Sequence, residues 1–172
     1  MSKRDLKKYL DGLDKEQVAE QLLELYDKFP PVKTYYDFIF NPKEDKLVGE
    51  AKAKIANEYF PVKSRRAKLR RSTAQKYIKH FMTLGVDAHA LADLMLFNIE
   101  TAQRYAAKRS NIPGAFYKSM FNSFEQAIQF IVFSGFLQDF DSRLGAISSE
   151  ANRQRWENSH AFSDILETLH WA

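Results

Sequence analysis

Three features of this 172-residue sequence predict an all-α fold. Apolar residues recur at three- and four-residue spacing along most of the chain. Only six Gly and five Pro are present, mostly between the periodic stretches, which leaves little room for the frequent turns of a β-sandwich or barrel. Fourteen Phe and eight Tyr need an interior to fill. The length suits one domain with one core, since two domains would each be small for independent folding. The expected architecture is therefore a single helical domain, 1–172, with seven to nine helices in antiparallel hairpins around two central apolar helices. A short α-solenoid-like array is a variant of the same arrangement.

Leu6, Tyr9, Leu10 and Leu13 fall at helical spacing and predict a short first helix with Lys3, Arg4, Lys7 and Lys8 on its polar side. Asp14 caps a second helix, with Gln17 completing a capping box and Leu13 and Val18 a hydrophobic staple. Val18, Leu22, Leu25, Tyr26 and Phe29 form its expected buried stripe, and Pro30-Pro31 ends it. Val32, Tyr35, Tyr36, Ile39 and Phe40 predict a third helix before Asn41-Pro42, a cap followed by a first-turn proline. A fourth runs to about Phe60, with Leu47, Val48, Ala51, Ile55, Ala56 and Tyr59 inward and Lys43, Lys46, Glu50, Lys54 and Glu58 as solvated charge; Pro61 stops it. Phe29-Pro30 and Phe60-Pro61 are similar endings 31 residues apart, which hints at repeated helical hairpins.

Gly85 closes a further helix, and Asp87 caps the next, with Val86 and Leu91 as staple. Leu91, Leu94, Met95, Phe97, Asn98, Ile99, Ala102 and Tyr105 cover more than one stripe, so the helix near 88–109 is expected at the centre. Asn111 and Pro113 open a long partner over 113–138, containing Phe116, Tyr117, Met120, Phe121, Phe124, Ile128, Ile131, Val132 and Leu137. From Asp139 the chain is polar and weakly periodic through Asn152, Arg153, Gln154, Arg155 and Trp156. A last helix from about Ser159 places Phe162, Ile165, Leu166 and Leu169 on one face, with Trp171 as a further anchor.

The absence of cysteine excludes disulfides, thiolate metal sites and cysteine nucleophiles and fits a reducing cytosol. Residues 1–10 lack the apolar core of a signal peptide. The most apolar tract, Ala127 to Leu137, is shorter than the ~20 residues of a membrane span. A cytoplasmic protein without a membrane partner is expected.

Charge is distributed unevenly. Tyr59 to Val86 holds eight basic residues and no acidic one: Lys63, Arg65, Arg66, Lys68, Arg70, Arg71, Lys76 and Lys79. The rest of the chain carries 18 basic and 22 acidic residues, so the positive field is local. If Ser64 to Leu84 is one helix, its stripe of Ala74, Tyr77, Ile78, Phe81 and Met82 continues backward onto Arg70, Arg71 and Arg66. Arginines on a core face call for partners. The bland reading pairs Arg70 and Arg71 internally with Asp93, Glu100 or Glu125. The functional reading sets the basic stretch 63–79 against phosphates, because guanidinium groups match phosphate geometry. No RNP aromatic pair, GXXG loop or zinc-finger spacing accompanies it.

His80, His89, His160 and His170 form no metal-binding spacing, and neither a metal nor a cofactor is expected. His89 and Asp93 stand one turn apart, a spacing more often local stabilisation than a catalytic dyad. Glu100 and Glu125, on the expected central helices, could serve as paired acid/base carboxylates, though pairing with Arg70 or Arg71 is the simpler reading, and no P-loop, GxGxxG or GxSxG pattern is present. Arg, Gln and Trp within 152–156 suit either a protein-contact surface or a ring tucked into the core.

Several short strings resemble a family of uncharacterised bacterial proteins of about this length, a domain of unknown function. They are Ser2-Lys3-Arg4-Asp5-Leu6; Leu25-Tyr26 with Val32-Lys33 and Tyr35-Tyr36; Tyr59-Phe60-Pro61 with Lys68-Leu69-Arg70; Asp93-Leu94-Met95-Leu96 with Glu100; and Phe116-Tyr117 with Phe124-Glu125. The resemblance reaches to about Leu137. It implies an all-helical fold and a bacterial cytoplasm, and it carries over no activity or functional residue. The leading expectation is a non-enzymatic helical binding or scaffold module, with a protein or a nucleic acid open as partner. Nucleic-acid or phosphate-ligand binding through 63–79 is second, and an enzyme with dispersed acid/base residues third.

Overall fold

The structure, a computed structural model, describes residues 2–63 and 66–170, and of His170 the backbone only. Among the described residues it contains nine α-helices and no strand. The chain divides into two compact units, 1–43 and 44–172.

The first unit holds α1 (Lys3–Leu10), α2 (Lys15–Lys28) and α3 (Pro30–Phe40). Ser2 and Asp5 form a capping box on α1, and Asp14 and Gln17 form the expected one on α2. Phe29, in the extended region, ends α2 and caps α3, so Pro30 is the first residue of α3 and the third helix begins before Val32. Proline suits that position because its missing N–H is one no helix partner would have accepted. α2 and α3 pack together, with the Tyr26 hydroxyl donating to Asp37 at 2.7 Å. The stripe expected to be buried on α2 is not: Leu22 is 40%, Leu25 44% and Phe29 50% exposed. Three short helices enclose too little volume to bury both sides of their apolar faces.

The second unit holds α4 (Glu44–Tyr59), α5 (Arg71–Leu84), α6 (Ala88–Ala106), α7 (Gly114–Phe133), α8 (Leu137–Arg153) and α9 (Ser159–His170). Every buried apolar residue among those described lies here. α6 packs against α4, α5, α7 and α8. Its buried Leu91, Leu94, Leu96, Ile99 and Ala102 point to several sides, as the multiple stripes predict. Tyr59 crosses this core and donates to Asn98 Oδ1 at 3.1 Å.

Four expectations are corrected. The helix proposed from Ser64 begins at Arg71, since residues 66–70 are not helical, and Ser64 and Arg65 lie outside the described residues. On α5 Leu84 is buried whereas Met82 is 57% exposed. The helix expected over 113–138 ends at Phe133, where Gly135 takes a left-handed φ of 77° and the Phe136 N–H returns to the Ile131 carbonyl at 3.0 Å. Leu137 then opens α8, whose Phe140, Leu144, Ile147 and Ala151 are buried. Finally, Phe60-Pro61 leads into non-helical chain while Phe29-Pro30 leads directly into α3, so the two similar endings do not start similar hairpins. Trp156 is 3% exposed among Phe116, Tyr117 and Phe162, a core ring rather than a surface anchor. Trp171 lies outside the described residues.

Candidate functional site

α4 ends where Pro61 removes the next amide donor, and its last turn organises the chain that follows. The Asn57 side chain accepts from the Val62 N–H at 3.1 Å. The Glu58 carbonyl accepts from the Lys68 and Leu69 N–H groups at 2.9 and 3.2 Å, with Leu69 held at a left-handed φ of 53°. Such a conformation persists in a non-glycine residue only where its surroundings hold it. Here they include the Glu58 carboxylate, 7% exposed, which takes Arg70 Nε and Nη2 at 3.1 and 2.9 Å and the Thr73 hydroxyl at 3.1 Å. Arg70 hydrogen bonding, working against burial, holds the Glu58 carboxyl below the ordinary glutamate range.

This folding back encloses a half-open cavity of about 480 Å3. Lys54, Asn57 and Glu58 of α4 line it from one side, and Lys63, Lys68 and Arg70 from the other. Lys54, Lys63 and Lys68 are exposed, and none forms an ion pair among the described residues. The wall thus presents three ammonium groups beside a guanidinium whose Nη1 is not used on Glu58.

The remaining basic candidates disperse. Arg66 is exposed, and Arg65 lies outside the described residues. Arg71 opens α5 and donates to Ser123 Oγ at 2.9 Å and Gln126 Oε1 at 2.8 Å on α7. Lys76 and Lys79 are exposed on α5. The pairing expected for Arg70 and Arg71 is also corrected, because neither meets Asp93, Glu100 or Glu125. Asp93 and Glu100 are instead bridged by Arg143 of α8, at 2.6 Å to Asp93 Oδ1 and at 2.5 and 2.9 Å to the two Glu100 oxygens. Lys52 of α4 adds a bond to Asp93 Oδ2 at 2.5 Å. His89 packs on Phe136 and Phe140, with no bond to Asp93 among the described contacts. Glu125 is half-buried on α7.

Glu58, Lys54 and Asn57 were not legible as site residues. Glu58 carries a signal nonetheless: it lies three residues after Ile55 and beside Tyr59, on the buried stripe. Arg143 likewise sits between the buried Phe140 and Leu144.

The pattern of one family, described as a family of unknown function and designated DUF6155, matches residues 1–170. The chain belongs to this family. The match extends beyond Leu137, where the resemblance of the short strings ends, and it spans both the DUF6155 cavity region and the Arg143 bridge. No curated protein and no solved structure matches the chain. Among the described residues, no helix is long and apolar enough to cross a membrane and no cluster of His, Asp and Glu has the makings of a metal site.

The two charged constellations differ in what they can do. In the bridge, Lys52 and Arg143 face Asp93 and Glu100, so its charges are balanced and each carboxylate is already engaged. At the cavity the carboxylate is engaged and the ammonium groups are not. Balanced charge ties helices together, whereas uncompensated charge attracts a ligand of opposite sign.

Proposed function

We propose that the protein is a non-enzymatic helical binding module whose ligand carries phosphate, taken up at the cavity that α4 forms with Pro61, Val62, Lys63, Lys68 and Arg70. The observation that supports it is the imbalance of the wall: Lys54, Lys63 and Lys68 without carboxylate partners among the described residues, beside a Glu58 already committed to Arg70. The backbone that carries Lys68 is already held, because the Val62 N–H donates to the Asn57 side chain and the Lys68 and Leu69 N–H groups donate to the Glu58 carbonyl, so only side chains need ordering on binding. Phosphate suits these groups because ammonium and guanidinium bonds to its oxygens are charge-assisted.

Calorimetric titration with tripolyphosphate tests the reading, using the wild type and a Lys63→Glu/Lys68→Glu variant whose fold is checked by circular dichroism. Binding that weakens as salt rises and disappears in the folded variant is expected, because the exposed charges are screened. No binding, or binding untouched by the variant, rejects it.

The first unit favours a second reading, a scaffold for another protein, because Leu23 is 65% and Phe40 81% exposed. Exposed apolar side chains of this size mark contact surfaces when they cluster. Enhanced fluorescence of anilinonaphthalene sulfonate that falls in Leu23→Glu/Phe40→Glu supports this reading. A variant with unchanged dye response removes it.

A further inference from the structure

We infer that the phosphate-bearing ligand is a single-stranded nucleic acid, anchored by its backbone in the cavity and stacking its bases on the aromatic residues that lead away from it. The inference rests on the phosphate reading above and specifies the ligand of that same site. Phe60 directly precedes Pro61 of the cavity wall and is 41% exposed. Its ring lies 6.1 Å from that of half-buried Tyr105, at 67°. A cation attends each ring: Lys108 Nζ is 5.9 Å from the Phe60 centroid, and the Arg109 guanidinium is 5.4 Å from that of Tyr105. Arg109 then borders a second depression of about 250 Å3, together with Tyr117, Arg153 and Gln154.

The cavity and this second depression, where Arg109 forms no ion pair among the described residues, are therefore linked by exposed Phe60 and half-buried Tyr105, each with its own cation. The carboxylates nearby do little to oppose a polyanion. Glu58 is taken by Arg70, and Glu150 by Arg153 at 2.5 and 2.6 Å. Glu157 lies beside Tyr117, at the second depression and away from the anchoring cavity. Interleaved aromatic and basic side chains are what a single strand needs: ring faces accept unstacked bases of any sequence, and cations follow the phosphates. A duplex keeps its bases stacked on each other and has no use for Phe60 or Tyr105. Lys108 sits over Phe60 on a flexible stem, so a base displacing it leaves the ammonium available to the adjoining phosphate.

Fluorescence anisotropy of labelled twelve-nucleotide oligo(dT) and oligo(rU), with a matched DNA duplex and tripolyphosphate as competitor, tests this on the full chain. The single strands are expected to bind more tightly than the duplex, with steep salt dependence, and tripolyphosphate is expected to compete. Phe60→Ala and, to preserve packing without a ring face, Phe60→Leu should each weaken strand binding about tenfold while leaving tripolyphosphate binding unchanged. Lys108→Glu/Arg109→Glu should do likewise. Retained tripolyphosphate binding with equal affinity for duplex and single strand, or with no effect of the Phe60 variants, overturns the inference and leaves the phosphate reading standing. Strand binding indifferent to Lys63→Glu/Lys68→Glu overturns it as well, because the cavity is then not the anchor. Loss of binding to both probes removes the two readings together.

Discussion

Arg70 donates Nε and Nη2 to the two oxygens of the Glu58 carboxylate, and through this pair the chain that leaves α4 is tied back onto the helix it has just left. The same carboxylate accepts from Thr73, so one nearly buried acid holds both the start of α5 and the rim of the cavity. Glu58→Ala removes the acceptor of the Arg70 side chain and the Thr73 hydroxyl. We expect a loss of ~0.5–1.5 kcal/mol in urea unfolding, the net worth of the hydrogen bonds removed, because the Arg70 side chain is 55% exposed and water replaces its lost acceptor. Tripolyphosphate affinity should fall in the same variant although an acid has been removed beside an anion site, because the backbone bonds that set Lys68 and Leu69 lose their support. A gain in affinity would show that Glu58 acts only as a repelling charge.

Acid should destabilise the protein through identified groups. Arg70 hydrogen bonding, against burial, lowers the Glu58 carboxyl below its ordinary 4.5. Burial raises that of Asp93, but Lys52 and Arg143 bring it below its ordinary 3.8. Hydrogen bonding from Arg153 lowers Glu150. A carboxyl depressed in the folded state contributes stability that is complete above its unfolded value and is lost as pH falls through the folded one. Thermal midpoints should therefore vary little between about pH 7 and pH 5 from these groups and fall increasingly below that. Glu58→Gln should flatten the acid limb; an identical pH profile would remove Glu58 from the account.

The Arg143 bridge joins α6 and α8, and Lys52 extends it to α4. Asp93, Glu100 and Arg143 each have side chains about 30% exposed. Arg143→Met should cost ~1–3 kcal/mol, less than the ~3–5 kcal/mol of breaking a fully buried pair. In a double-mutant cycle with Glu100→Gln the combined loss should fall short of the sum of the two single losses. Strict additivity would mean that the contact contributes no coupling.

Two glycines at helix ends should respond differently to alanine. Gly85 has a φ of 77° at the end of α5, so Gly85→Ala should cost about 1 kcal/mol although nothing lies within 4 Å of the added methyl. At Gly114 the new Cβ would fall 2.5 Å from Glu157 Oε1, the end of a flexible exposed side chain that can move aside. Gly114→Ala should change the unfolding midpoint little, since alanine also favours the helix it opens. Circular dichroism melts of the two variants distinguish the cases.

Local signals were legible in the residues themselves. Asp14 with Gln17, Asp87, and Gly85 act on groups within a few positions, and each sits in the structure where its sequence context places it. The several stripes of α6 also showed directly that it is central. α8 was obscured because Asp139, Asp141, Ser142 and Gly145 interrupt a core face that four residues, Phe140, Leu144, Ile147 and Ala151, are enough to bury.

What the sequence by itself determined is the all-helical class, the caps and stops, the central helix and the local excess of positive charge, because each depends on spacing along the chain. Only the tertiary structure decided which charges are spent and which remain. Arg70 meets Glu58 across twelve positions, Arg71 meets Ser123 across 52, and Arg143 reaches Asp93 across 50. Helical periodicity sets the direction of a side chain on its own element, but its partner is chosen by how distant elements pack. That packing leaves Lys54, Lys63 and Lys68 around an unneutralised cavity.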